Sequence, residues 1–198
     1  MRTKAFLVAL SVICFATVSM AQQKFNVQNG TKTEFYNDLE TAISKAASGD
    51  TIYLPGRVIH VQNDLVIDKK LAIIGAGCDV DSIGGLQTTE IIRSNGFYAI
   101  INFHNGSDGS LLTGCITGSV QFGNMNQYQE PQQNIQNVTI CRNKLDQITL
   151  GISQSNNQVK QISISENIIT YAYSIVGNNA SDCIINHNCP IFQNIKSS

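Results

Sequence analysis

Arg142, Glu166 and His187 are the candidate acid–base residues of this 198-residue chain. Each precedes an asparagine in a recurring unit, so stacking of the units would place the three side chains in a column about 4.8 Å apart. A guanidinium, a carboxylate and an imidazole in a row could serve general acid–base catalysis. The simpler interpretation is an exposed Arg–Glu ion pair at a turn, which contributes about 0.2–1 kcal/mol, and we favour it.

Two further patterns suggest ligands. Asp79 and Asp81, followed by two glycines, resemble the start of a calcium loop, because Ca²⁺ takes oxygen ligands at alternate positions. No later Glu completes that loop, so we favour a solvated turn and expect no cofactor. Tyr128 is the one aromatic residue of a polar segment, 124–133, and could stack on a sugar from a surface loop.

The cysteines do not predict a metal site or a complete set of disulfides. Removal of a leader that contains Cys14 would leave five, an odd number that cannot all pair within one chain. No two of them have C-x-x-C spacing, and His187 lacks partners at zinc spacing. Cys183 occupies an inward position of its unit, where we expect a small buried apolar residue.

A repeat predicts the elements that position these residues. The segments NVTICRN (137–143), QISISEN (161–167) and DCIINHN (182–188) align without a gap, and their closing Asn recurs after 24 residues (143 to 167) and then 21 (167 to 188). A period of about 20–25 residues is typical of solenoids. Apolar residues alternate within each unit, as they do in strands. We therefore predict an all-β fold, a right-handed parallel β-helix.

The register of the units predicts an interior wall and a ladder. The wall comprises Val138, Ile140, Ile162, Ile164, Cys183 and Ile185. Asn143, Asn167 and Asn188 should close the same turn in three successive coils, where the tolerance of Asn for left-handed backbone is useful. Their stacked amides should hydrogen-bond along the column, as amide ladders do between parallel strands.

The rest of the chain divides into a leader, a polar segment and the β-helix. We predict a signal peptide over 1–21, a loosely held polar segment over 22–34 and the β-helix domain over 35–198. Within this domain a helix over 35–47 should cover the open first coil, and coils should run from 51 onward, incomplete at the C-terminal end. Two registers remain open near residue 115: either Leu112, Gly114 and Ile116 face inward, or Cys115 and Thr117 do.

The leader and the composition indicate export. Arg2 and Lys4 precede an apolar run over 5–18, and Ser19-Met20-Ala21 forms a small-x-small cleavage site. The alternative is a lipoprotein signal through Cys14, which Ile13 makes a poor fit. We expect the periplasm, the cell surface or the medium, and no membrane span in the mature chain. A net charge of -1 with 14% charged residues argues against a nucleic-acid partner.

Several motifs point to a known group of proteins. LETAI (39–43), GDTIYLPG (49–56) and AIIGAG (72–77) resemble the opening of pectin-lyase-like β-helix proteins. GAG (75–77), GGL (84–86) and NGSDGSLLTG (105–114) resemble secreted β-helix proteins of Bacteroidetes type, a group of undefined function. The resemblance covers 35–198 and implies the fold, with this chain as a truncated member. It implies little about activity.

Two classes of function remain. The favoured class is a non-catalytic surface or binding protein associated with glycans; the alternative is a polysaccharide lyase or glycoside hydrolase that acts on acidic glycans. The expected partners are a polysaccharide or a chain that caps the C-terminal coil. Catalysis is disfavoured because the Asp-Asp pair and the Gly-His-Gly motif of the family are absent. The outward positions of the repeats also lack carboxylates, Lys and Arg: Thr139, Cys141, Ser163, Ser165, Ile184 and Asn186.

Overall fold

The computed structural model describes residues 24–79, 87–123, 134–150, 158–171, 175–176 and 180–190. Over these ranges the protein is mostly β, with parallel sheets and one short helix. The elements in chain order are β1 (Phe25–Asn29), β2 (Lys32–Tyr36), α1 (Leu39–Lys45), β3 (Thr51–Tyr53), β4 (Val58–Val61), β5 (Leu65–Ile67), β6 (Ala72–Ile74), β7 (Thr89–Arg93), β8 (Ile101–Phe103), β9 (Leu111–Thr113), β10 (Cys115–Phe122), β11 (Asn134–Gln136), β12 (Thr139–Cys141), β13 (Lys144–Thr149), β14 (Gln158–Lys160), β15 (Ser163–Ser165), β16 (Ile168–Ile169), β17 (Ile175–Val176), β18 (Ala180–Ser181), β19 (Ile184–Asn186) and β20 (Cys189–Pro190).

The strands of the described ranges form three sheets. Sheet A has the order β19-β15-β12-β9-β6-β3-β1-β2, and it is parallel from β3 to β19. Sheet B has the main order β20-β16-β13-β10-β7-β4, with β5, β8 and β17 paired beside that path. Sheet C has the order β11-β14-β18 and is also parallel.

The chain visits the sheets in a fixed order in its last third. It passes through C, A and B at β11, β12 and β13, again at β14, β15 and β16, and a third time at β18, β19 and β20. The pairing keeps the register of the repeat, since Ile140 lies opposite Ile164 and Ile164 opposite Ile185. Each pass therefore adds one strand to sheets A and C, and the second pass adds β16 and β17 to sheet B.

Residues from all three sheets contribute to a single hydrophobic core. Sheet A contributes Ile140 and Ile164, sheet B contributes Leu145, and sheet C contributes Ile135 and Val159, all of them buried. The interior wall is thus confirmed for Val138, Ile140, Ile162 and Ile164. It is wrong for Ile185, which remains 46% exposed, while Cys183 is partly buried against the core.

The N-terminal region differs from the sequence prediction. The segment expected to be loosely held forms the antiparallel hairpin of β1 and β2, and β1 pairs antiparallel with β3 at the edge of sheet A. Phe25 and Val27 of β1 are buried in the core. The predicted helix over 35–47 is shorter: it begins at Leu39, after Asp38 caps it by accepting a hydrogen bond from the Thr41 amide at 2.7 Å. Phe35 lies on β2 and is exposed, so its helical spacing was misleading.

A glycine turn resolves the open register near residue 115. Leu112 is buried from β9, and after the turn Cys115 and Thr117 are buried from β10. Gly114 has a φ of 72°, and a Cβ there would lie 2.7 Å from the Gly75 carbonyl oxygen. Before Gly114 the inward residues have even numbers, as Leu112 does, and just after it they have odd numbers, as Cys115 and Thr117 do. Each of the two predicted registers is therefore right on one side of Gly114.

Candidate functional site

The column of Arg142, Glu166 and His187 forms the exposed corner between sheets A and B. The Arg142 Nε atom donates to the Glu166 carboxylate at 2.6 Å, and both side chains are half exposed or more. The hydrogen bond that Arg142 donates to Glu166, and then the negative charge of Glu166, raise the pKa of Arg142. All three residues have a positive φ, between 53° and 56°. Solvent screens such a pair, so its geometry suits a turn better than a catalytic centre.

This geometry corrects one sequence expectation. The ladder asparagines were expected to take the left-handed backbone themselves, but the residue before each of them does so. A second left-handed position opens each unit at Asn137, Gln161 and Asp182. These turns leave the asparagine side chains directed into the stack, where Asn143 and Asn167 are buried.

The three asparagines form a continuous ladder of hydrogen bonds. The Asn167 side-chain amide donates to the Ile140 and Ser165 carbonyls and to the Asn188 Oδ1 atom, at 2.9–3.0 Å. Its own Oδ1 atom accepts from the backbone and side-chain nitrogens of Asn143, at 3.0 and 3.1 Å. Every polar atom of this buried side chain is thus paired, as buried amides require.

The ladder continues with different chemistry toward the N-terminus. Asn143 Oδ1 accepts from the Cys115 amide at 3.0 Å, and the Cys115 thiol lies 3.5 Å from the Thr113 carbonyl. Cys115 is opposite Thr89, whose hydroxyl donates to the Pro55 carbonyl. Burial raises the pKa of the Cys115 thiol to about 12, so this sulfur is a structural group.

The outer faces of sheets A and B differ in chemistry. On sheet A the outward positions of β12, β15 and β19 are the neutral residues expected from the repeat. On sheet B the outward column opposite Ile116 carries Glu90 on β7 and Lys144 on β13, and Asp146 follows two residues later. The absence of charged groups therefore holds for these outward positions of β12, β15 and β19 and does not extend to sheet B.

An aromatic side chain lies among these charges. Tyr98, in the 94–100 segment between β7 and β8, pairs with Ile92 and is 38% exposed. Burial, then the charge of Glu90, then that of Asp146 raise the pKa of Tyr98, so both carboxylates act on one ring. We call Glu90, Tyr98, Lys144, Asp146 and Thr170 the Tyr98 surface.

The neighbouring backbone fixes the position of Tyr98. Gly118 of β10 lies beneath it, and a Cβ there would be 3.3 Å from the Tyr98 Cβ and 3.1 Å from its carbonyl oxygen. Asp64 holds the same segment by accepting from the Ile100 amide at 2.8 Å and from Arg93 at 3.4 Å. The backbone that carries Tyr98 is therefore held by strand β10 and by the Asp64–Arg93 ion pair.

Hydroxyl groups orient the two carboxylates. The Thr88 hydroxyl donates to Glu90 Oε1 at 3.1 Å, and the Thr170 hydroxyl donates to Asp146 Oδ1 at 2.8 Å. Each carboxylate keeps a second oxygen that can accept a hydrogen bond. The arrangement offers a partly exposed tyrosine with two oriented acceptors on the neighbouring strands.

The other predicted sites gain no such geometry. Asp81 and Tyr128 lie outside the described residues, as does the predicted signal peptide over 1–21. Asp79 is described, but no group of three or more His, Cys, Asp or Glu arranged for a metal occurs in the described ranges. The described cysteines are free. Within the same part of the chain, no helix has the length and apolar character needed to cross a membrane.

Sequence reasoning missed the Tyr98 surface because its residues belong to no common unit. Glu90 and Tyr98 precede the clear repeats, and Asp146 follows the ladder Asn143 in the same coil. One signal was present: Lys144 and Asp146 alternate with the apolar Leu145, which marks an outward face on the strand after each ladder asparagine.

Comparison with known proteins found no matching family model, no similar curated protein and no similar solved structure.

Proposed function

We propose that this chain is an exported right-handed parallel β-helix protein of pectin-lyase-like type. The threefold passage through sheets C, A and B supports this fold, as do the matched registers of β12, β15 and β19. The single core shared by the three sheets also supports it. The basic, apolar and small-x-small pattern of residues 1–21 supports export.

The protein binds a glycan, without catalysis, through the Tyr98 surface. The observation that carries this proposal is a partly exposed Tyr98 that packs over Gly118 of β10, the strand that pairs with the strands of Glu90 and Asp146, two carboxylates held by threonine hydroxyls. An aromatic face offers apolar area for the C–H face of a sugar ring. Carboxylate oxygens accept strong hydrogen bonds from hydroxyl groups. Because neighbouring strands hold the backbone that carries Tyr98, little conformational entropy of this segment is lost on binding.

The charges at this surface select the class of glycan. Glu90 and Asp146 would repel a uronate carboxylate, and Lys144 supplies one opposing charge. A neutral, hydroxyl-rich polysaccharide therefore fits better than the acidic glycans of lyases.

Affinity electrophoresis in gels that contain neutral plant or microbial polysaccharides tests the proposal. The wild-type chain should be retarded by at least one neutral glycan and not by polygalacturonate. Tyr98→Ala should weaken retardation at least tenfold, about 1.4 kcal/mol. Tyr53→Ala is the matched control, since Tyr53 is 41% exposed on the outer face of sheet A. Equal binding by both variants, or no retardation by any glycan, would contradict the proposal.

A second candidate function is glycoside hydrolysis. It rests on the presence of two carboxylates near one ring, because such enzymes use a pair of Asp or Glu residues. Release of reducing ends from a glycan that the chain binds would support it, provided that Glu90→Gln and Asp146→Asn each abolish the release. For the lyase alternative, polygalacturonate is incubated with and without Ca²⁺ while the ultraviolet absorbance of an unsaturated product is followed.

A further inference from the structure

A cavity of about 630 Å³ lies between the hairpin of β1 and β2 and the C-terminal end of α1. It shares no residue with the Tyr98 surface. Cavities that bind small ligands measure roughly 300–1,000 Å³, so this one is large enough for such a ligand. Its lining includes the apolar Val27 and Ala47 and four charged residues, Lys32, Glu34, Lys45 and Asp50.

Asp50 offers a carboxylate oxygen to this cavity. The residue is only 5% exposed, and its Oδ2 atom accepts a hydrogen bond from the Ala47 amide at 2.8 Å. Its Oδ1 atom accepts no hydrogen bond in the described part of the chain and is not enclosed by protein. Buried carboxylate oxygens require hydrogen-bond partners. Because Asp50 lines the cavity, a molecule bound there can supply the missing donor.

Glu34 supplies a second carboxylate near the first. The Tyr36 hydroxyl donates a hydrogen bond to Glu34, and this bond is the main cause that raises the pKa of Tyr36. The negative charge of Asp50 adds to the rise, so both carboxylates act on one hydroxyl group. Glu34 and Asp50 therefore form one acidic region of the lining.

Lys32 and Lys45 supply the opposite charge. Both residues are exposed, at the start of β2 and in the last turn of α1. Among the described residues, no ion pair joins either lysine to Glu34 or Asp50. Two ammonium groups and two carboxylates thus line one cavity without direct contact between opposite charges, and their formal charges cancel.

We propose that this cavity binds a short zwitterionic peptide. The peptide ammonium group donates to Asp50 and Glu34, and the peptide carboxylate accepts from Lys32 and Lys45. Hydrogen bonds between charged groups are shorter and stronger than those between neutral groups. A ligand with a charge of one sign only would be repelled by one pair of these residues.

The size of the cavity sets the length of the peptide. A cavity of 630 Å³ is roughly 9 Å across when its three dimensions are equal, and an extended chain advances about 3.3–3.6 Å per residue. A dipeptide or a tripeptide therefore spans the cavity. In a free amino acid the two charged groups lie on one residue, too close together to reach both pairs of side chains.

Isothermal titration calorimetry of the full chain with dialanine and trialanine tests the proposal. Each peptide is compared with its N-acetylated form, which lacks the ammonium group, and with its C-terminal amide, which lacks the carboxylate. At least one unblocked peptide should bind. Each blocked form, and free alanine, should bind at least about tenfold more weakly, because a charged contact is lost. No binding by either unblocked peptide, or equal binding by a blocked form, would overturn the proposal.

Two variants locate the binding in this cavity. Asp50→Asn should abolish the preference for a free amino terminus, and Lys45→Gln should weaken the preference for a free carboxyl terminus. Lys160→Gln is the matched control, since Lys160 is exposed on β14 of sheet C, and it should bind as the wild type does. Circular dichroism checks folding; if Asp50→Asn does not fold, the exposed Lys45→Gln decides. Peptide binding that Lys45→Gln leaves unchanged would place the site elsewhere and overturn the assignment.

Discussion

Strands β15 and β19 are neighbours in sheet A with the same sequence pattern and different surroundings. Ile164 of β15 has strands on both sides and is fully buried, whereas Ile185 of β19 has a described neighbour on one side and is nearly half exposed. The ladder residues follow the same trend, since Asn167 is buried and Asn188 is half-buried.

Equivalent positions of the sequence repeat therefore need not contribute equally to the stability of the protein. The repeat gives each unit the same inward and outward positions, but burial comes from the next strand in the stack. A side chain in the middle of the stack should therefore contribute more than its equivalent in the last described coil.

The largest expected difference is in thiol reactivity. Cys115 is buried with a pKa of about 12, compared with an ordinary 9.0, whereas Cys189 of the last described coil is exposed. At pH 8 the shift alone lowers the thiolate fraction of Cys115 by ~1,000-fold. Iodoacetamide labelling followed by peptide mass spectrometry should therefore modify Cys189 and leave Cys115 intact until the chain is unfolded. Equal labelling in the native state would place Cys115 outside the core.

Ile164→Ala should destabilise the protein by about 2–5 kcal/mol, since a buried side chain loses contacts on both sides. Ile185→Ala should cost about 1 kcal/mol or less, because this residue loses fewer contacts. Urea unfolding followed by circular dichroism measures both. Ser163→Ala, on the outer face of β15, is the control and should cost under about 0.5 kcal/mol. Similar costs for Ile164 and Ile185 would contradict the comparison.

Asn167→Ala should cost about 1–3 kcal/mol, because it leaves the buried backbone amide of Asn143 without its acceptor and removes the side-chain bond to the Ile140 carbonyl. Asn188→Ala should cost ~1 kcal/mol less, since its side-chain nitrogen makes one bond to the stack, with the Ile164 carbonyl. Asn143→Ala should resemble Asn167→Ala, because the Cys115 amide extends the ladder beyond it. The same urea titrations give the three values, and an equal loss at Asn188 would show that the last coil is held as firmly as the middle one.

The smallest expected effect concerns the left-handed turn that opens each unit. Gln161 has a φ of 55°, which is unfavourable for a residue with a long side chain. Gln161→Gly should therefore stabilise the protein by up to ~1 kcal/mol. Asn137→Gly, at the equivalent turn with a φ of 59°, should change little because Asn tolerates this conformation. A loss of thermal stability in Gln161→Gly would show that the Gln161 side chain makes stabilising contacts that outweigh the strain of the left-handed turn.

The repeat could be predicted from the sequence because its pattern lies within short, continuous segments. Each unit carries its own alternation, so the register of Ile140 with Ile164, and of Ile164 with Ile185, follows from aligning the units. The intervals of 24 and 21 residues likewise place Asn143, Asn167 and Asn188 in one column. The N-terminal hairpin was not readable, because Phe35 has the spacing of the helix that follows it and lies instead on an exposed edge strand.

The alternation and the repeat were enough to predict the strand periodicity, the alignment of the last three units and the neutral outward positions of those units. Which equivalent positions are covered, and the approach of Glu90 and Asp146 to Tyr98, depend on how the sheets pack. The reason is physical. Alternation and turn preference act between residues close in the chain, whereas burial and electrostatic coupling depend on strands that pack from distant segments.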